Sequence, residues 1–77
     1  MQSIRDAIAT LALGKDLSQD EAQAAMAQVL EGGATPVQTG AFLIALQMKG
    51  ETAAEISGCA LAMRRLARPV RPQRTGL

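Results

Sequence analysis

The feature that most constrains this chain is a helix-start signature written four times in 77 residues. It reads Ser3-Ile4-Arg5-Asp6, Ser18-Gln19-Asp20-Glu21, Thr35-Pro36-Val37-Gln38 and Thr52-Ala53-Ala54-Glu55, at steps of 15, 17 and 17 residues. A Ser or Thr hydroxyl at the cap accepts a hydrogen bond from the backbone N–H three residues on. The Glu or Gln at that third position accepts one from the cap's own N–H, so two orphan donors are satisfied together. The first box carries Asp in place of Glu and is the weakest. Each box leads into an apolar run, and glycines punctuate the ends. The pattern therefore predicts an all-α fold, a bundle of four short antiparallel helices with no sheet and little room for an active site.

The first helix is expected from about Ile4 to Leu13, with Ile4, Ile8 and Leu11 on one stripe and Gly14 closing it. The second runs from Gln19 to Glu31, turns Ala22, Ala25, Met26, Val29 and Leu30 inward, and ends at Gly32-Gly33. Leu17, just before its cap, is placed to staple the first turn. The third starts with Pro36 at the first helical position, where a missing N–H is no loss, and reaches Lys49 before Gly50. From Gly40 to Leu46 it is apolar on every side, which marks it as the central helix, with part of its surface covered by a second chain. The fourth carries Ile56, Cys59, Ala60, Met63, Leu66 and Ala67 at helical spacing and should stop near Ala67, because Pro69 biases Arg68 away from helix. Gly40 and Gly58 fall inside helices at a cost of about 1 kcal/mol each relative to Ala. Either they are tolerated, or helix backbones come close there. Residues 1–67 thus form the helical domain, and residues 68–77, with Pro69, Pro72 and Gly76, read as an extended linker or tail.

Seventy-seven residues lie near the lower limit for one self-sufficient core, so self-association is expected. Phe42 is the only aromatic residue and there is no His, which removes the usual general base and commonest metal ligand. One Cys and no acid-rich loop of calcium-site spacing argue against a metal centre. Cys59 cannot form an intrachain disulfide, which fits a reducing cytoplasm. The longest apolar run, Ala41 to Leu46, is far short of a membrane span, and Asp6 interrupts the only candidate signal region. Residues 1–63 carry seven acids against Arg5, Lys15 and Lys49, a net of −4, whereas residues 64–77 carry five arginines. Arg64, Arg65, Arg68, Arg71 and Arg74 are the candidate contacts to an acidic partner. They supply the only nucleic-acid signal, but without stacking aromatics they read first as a solvated linker. Asp20 and Glu21 sit in a helix's first turn, where acids suit the dipole, so capping accounts for them. Ser18 invites comparison with the pantetheine-bearing serine of carrier domains. There the serine lies between Asp and Leu, whereas here the order is Asp16-Leu17-Ser18.

The runs Gly33-Ala34-Thr35-Pro36-Val37-Gln38-Thr39-Gly40-Ala41-Phe42-Leu43, Lys49-Gly50-Glu51-Thr52-Ala53-Ala54-Glu55-Ile56 and Ala62-Met63-Arg64 carry a family signal. Together with Asp16-Leu17-Ser18-Gln19-Asp20-Glu21-Ala22, they resemble the amino-terminal helical domain of anthranilate phosphoribosyltransferases over roughly residues 3 to 65. The same domain type opens the pyrimidine nucleoside phosphorylases, whose match is less close. The resemblance implies homodimers joined through the helical domain, and transfer of phosphoribose from phosphoribosyl pyrophosphate to anthranilate with Mg²⁺. It also implies a larger α/β domain that supplies most of the site, with a glycine-rich phosphate loop following the helical domain closely. That loop and domain are not in this sequence, so no catalytic or cofactor-binding residue is assigned here. Whether the chain is a fragment or free-standing is open, and a stand-alone binding module with an arginine tail is the alternative. The expected dimer interface is Ile4, Ile8 and Leu11 with Phe42, Leu43 and Leu46, unless all six are ordinary core.

Overall fold

The structure, a computed structural model, describes residues 4–66. Four helices follow in order: α1 (Ile4–Ala12), α2 (Gln19–Leu30), α3 (Pro36–Lys49) and α4 (Ala53–Leu66), with no strand among the described residues. The fold is all-α, as expected. Ser3 and the tail arginines Arg68, Arg71 and Arg74, like Ala67, lie outside the described residues.

Among the described residues, the predicted boxes at Ser18, Thr35 and Thr52 are formed; the first begins at Ser3, outside them. The Ser18 N–H donates to Glu21 Oε1 at 2.8 Å and the Glu21 N–H to Ser18 Oγ at 3.1 Å. Thr35 and Gln38 exchange bonds of 3.0 Å in both directions. Thr52 and Glu55 do the same at 2.9 and 3.1 Å. Helix α1 is held by a tertiary contact at its start, where the Ile4 N–H donates to Gln28 Oε1 of α2 at 2.8 Å. Helix α2 closes through Gly32, whose φ of +80° is open to glycine at little cost.

The chain reverses at each connection, but its closest partners are not sequence neighbours. Helix α2 packs most extensively on α4, α1 packs on α3, and a smaller α1–α2 contact joins the two pairs. Within each pair the helices run parallel. The first turn of α4 meets the start of α2 through Glu55 and Leu17, Gly58 lies over Gln19 to Gln23, and Arg65 and Leu66 sit beside Ala27 and Glu31. The antiparallel arrangement predicted from the capping boxes therefore describes successive directions and not the main packing.

Two further expectations are corrected. Helix α3 is not central, since it packs chiefly on α1 and leaves Val37 81%, Ile44 58% and Met48 83% exposed. The stripe expected to bury α4 is also the wrong one. Glu55, Gly58 and Ala62 are buried, whereas Ile56, Met63 and Leu66 are exposed and Cys59 and Ala60 half-buried. The reason is backbone approach. A Cβ built on Gly58 would collide with the Gln19 carbonyl oxygen and lie 2.9 Å from the Ala22 Cβ, so small residues bring α4 onto α2 where bulky ones would hold it off. Gly40 has nothing within 4 Å of a built Cβ and is simply tolerated.

One core cluster joins Ile4, Ala7, Leu11, Leu17, Ala22, Ala25, Met26, Phe42, Leu46 and Ala62. Phe42 is its largest side chain and is fully buried. Val29 is half-buried, and Leu30, expected inside, is exposed.

Candidate interface and the buried carboxylate behind it

The Lys49-to-Ile56 run, the densest part of the family signal, folds into a polar node at the junction of three elements. Gly50, at φ +96°, turns the chain sharply out of α3 so that Thr52 caps α4 three residues after Lys49. Glu55 is thereby brought inward with no exposed surface. Its Oε2 accepts from the Leu17 N–H at 2.7 Å, and its Oε1 from the Thr52 N–H and Lys49 Nζ, both at 2.9 Å. The Lys49 ammonium also donates to Asp16 Oδ1 at 3.0 Å and to the Gly50 carbonyl at 2.8 Å.

Burial pushes the Glu55 carboxyl upward, but the bonds from Leu17, Lys49 and Thr52 outweigh it and hold it below the usual carboxylate value. Lys49 is held above its ordinary value, first by its bond to Glu55 and then by Asp16. The node is thus a charged pair whose hydrogen-bonding capacity is spent on the fold. A carboxylate with three donors and no solvent access has no freedom to exchange a proton with a substrate. Its signal in the sequence was the Lys six residues before a capping Glu with glycine between. The box reading accounted for Glu55 as a cap and missed its reach to Leu17.

No group of three or more His, Cys, Asp and Glu among the described residues is placed to hold a metal. No helix among them is long and apolar enough to cross a membrane. Ser18 is engaged in its box. Cys59 is free and half-buried, and burial, with Glu51 and Glu55 nearby, raises its thiol. Arg65 lies in a shallow cleft with Asp20 and Glu31, and Arg64 is exposed beside it.

The surface offers two apolar areas. One is a crevice where the end of α1, at Leu11 and Ala12, meets Ala41, Ile44, Ala45 and Met48 of α3. Exposed Val37 and Leu13 extend the apolar surface of α3 and of the α1 end. The other is a groove of about 230 Å³ between α2, α3 and α4, lined by Met26, Leu43, Ile56, Cys59 and Met63 among others. Of the six residues expected at a dimer interface, Ile4, Leu11, Phe42 and Leu46 are buried within the chain and Ile8 is half-buried. Leu43, 46% exposed, lines the groove.

Comparison with known proteins fits this arrangement. The family described as "Glycosyl transferase family, helical bundle domain" matches residues 5–67. The chain is 55% identical over 71 residues to an anthranilate phosphoribosyltransferase of Anaeromyxobacter dehalogenans, covering 92% of this chain and 21% of that protein. It is 54% identical over 65 residues to that of Chloroflexus aurantiacus, covering 84% and 19%, and 50% identical over 74 residues to that of Trichlorobacter lovleyi, covering 96% and 21%. The chain thus spans about a fifth of the length of these curated relatives. No solved structure matches it. A chain whose described secondary-structure elements are all helices, whose family-like Lys49–Ile56 run builds a structural clasp, and whose match covers nearly all of its described length, belongs to the helical bundle domain family of the glycosyl transferases.

Proposed function

We propose that the chain is the helical domain of an enzyme that transfers phosphoribose to anthranilate, and that it pairs two copies of that enzyme without contributing the reacting groups. The observation that carries the first part is 55% identity over 92% of the chain to a protein named for that activity. The second part is supported by where polar chemistry is spent. Glu55, Lys49 and Ser18 are engaged in clasps and caps, while α3 presents Val37, Ile44 and Met48 to solvent. A 77-residue domain with that much apolar surface on one helix gains by burying it against a copy of itself.

Pairing in this reading uses the outer face of α3 with the end of α1, at Val37, Ile44, Met48 and Leu13. The helices are those expected from the sequence, but the residues are the exposed ones, because a side chain already buried adds no area to a second contact. No group of three or more His, Cys, Asp and Glu is gathered among the described residues, and in this reading the Mg²⁺ implied for the whole enzyme is held by its other parts.

Two measurements test the reading. The gene's full polypeptide, assayed with phosphoribosyl pyrophosphate, anthranilate and Mg²⁺, should consume anthranilate, and the 77-residue chain alone should not. Turnover by the short chain would overturn the non-catalytic assignment, and an inert full polypeptide would overturn the substrate. Sedimentation at micromolar concentration should show a dimer that Ile44→Glu with Met48→Glu converts to a folded monomer of unchanged helicity. A wild-type monomer would remove the pairing claim.

A further inference from the structure

The cleft beside Arg65 shares no residue with either apolar area. Asp20, Ala24, Ala27 and Glu31 line it from α2 at steps of four, three and four residues, which puts them on one stripe of that helix, and Arg65 and Leu66 of α4 form its other wall. At 1.5 Å of rise per residue the two acids stand about 16 Å apart, with the low floor of the two alanines between them. Asp20, Ala24 and Glu31 are exposed, and neither acid forms an ion pair among the described residues.

What the chain carries next is complementary to that stripe. The described residues end at Leu66, in the cleft wall, and the sequence goes on as Arg68-Pro69-Val70-Arg71-Pro72-Gln73-Arg74, an Arg-Pro-x repeat of period three. A polyproline II helix has three residues per turn and rises about 3.1 Å per residue, so in that form the three arginines share one side and the outer two stand about 19 Å apart, close to the span of the two acids. Each proline favours an extended backbone at its own position and at the one before, which lowers the entropy lost on docking. Because α4 runs parallel to α2, chain leaving its end starts beside Glu31 and reaches Asp20 by running back along α2. That direction puts Arg68 at the C-terminal end of α2, where a cation also suits the helix dipole.

We propose that residues 68–74 dock in polyproline II form along the outer stripe of α2 in their own chain, with Arg68 at Glu31, Arg74 at Asp20 and the prolines over Ala24 and Ala27. The basic segment is then neutralised by the acidic helical body and is not a nucleic-acid site. It also carries the chain back to the start of α2, so that whatever follows leaves the bundle from there and not from the end of α4. The docking holds for the 77-residue chain by itself and does not rest on the enzyme reading.

An arginine-specific endoprotease reports the contact at the bond between Arg74 and Thr75, with the products read by mass spectrometry. At low salt, cleavage there should be about fivefold slower in the 77-residue chain than in its Glu31→Lys variant, because proteolysis follows the undocked population and exposed ion pairs are individually weak. High salt should remove the difference. Arg68→Glu alone should expose the bond as Glu31→Lys does, and the two together should restore protection, a rescue that reversed charges in contact explain. Glu31 is exposed and follows the last turn of α2, so circular dichroism should show unchanged helicity in every variant. Equal cleavage of the unmodified chain and Glu31→Lys would overturn the proposal. So would protection that appears only when RNA or DNA is added, which would give the arginines to phosphate. Protection that grows with protein concentration would also overturn it, by placing the segment on a second copy.

Discussion

The two helix pairs reach stability by opposite means. Helices α2 and α4 are joined through small residues, Ala22, Ala25, Gly58 and Ala62, with the Glu55 carboxylate closing one end. Helices α1 and α3 are joined through large ones, Ile4, Leu11, Phe42 and Leu46. The first pair brings backbones together and spends its polar groups internally. The second fills its seam with bulky side chains. The polar groups of the first pair are closed on one another, while apolar surface is left exposed on both pairs, at Ile56 and Met63 of α4 and at Val37, Ile44 and Met48 of α3. What separates them is residue size at the seam more than hydrophobicity, since Gly58 and Ala62 contribute less apolar area than the residues α4 leaves outside.

The sharpest way to break the closed pair is Glu55→Ala. It orphans the buried Leu17 N–H, strips Lys49 of its main partner and unties the start of α4 from the α1–α2 loop, at an expected cost of about 3 kcal/mol in urea unfolding. For a domain this small, that is most of the stability available. The same clasp gives the pH response a sign. The Glu55 carboxyl is depressed in the folded state, so its contribution is present above the unfolded carboxylate pKa and is lost as pH falls through the lower folded value. Glu55→Gln should therefore flatten the acid limb of the stability profile. An unchanged acid limb would mean that another carboxylate sets it.

A smaller effect is expected from Gly58→Ala. The added methyl meets the Gln19 carbonyl and the Ala22 Cβ, so α4 must move off α2, at about 1 to 3 kcal/mol. A neutral result would show that the seam has slack and would weaken the contrast between the pairs. The smallest change expected is a gain. Gly40→Ala, in α3 with open space around the new Cβ, should stabilise by about 1 kcal/mol, because the backbone entropy of glycine is lost without a clash. The two substitutions are chemically identical and differ only in which helix pair receives them, so opposite signs in thermal melts would support the contrast directly.

Much of this was legible in the residues. The boxes at Ser18, Thr35 and Thr52 start α2, α3 and α4 where the residues place them, and Pro36 and Lys49 bound α3 as expected. Ile4, Leu11, Ala22, Ala25, Met26 and Leu17 are buried as their spacing indicates. The faces of α3 and α4 were read less well. Hydrophobic periodicity finds the stripe with the most apolar area, and on α4 that stripe lines a groove while Glu55, Gly58 and Ala62 are buried. A buried carboxylate defeats such a reading, since burial of a charge depends on donors that arrive from elsewhere in the chain.

The sequence alone determined the number of helices, their start points and the kinship, because capping bonds and turn glycines act within a few residues and need no distant partner. Tertiary structure decided the rest. It paired α1 with α3 and α2 with α4, turned Glu55 inward to meet Leu17 thirty-eight residues away, and left α3 at the edge with its outer face open. Those outcomes depend on which surfaces can approach closely, a property of two helices together that neither helix carries in its own sequence.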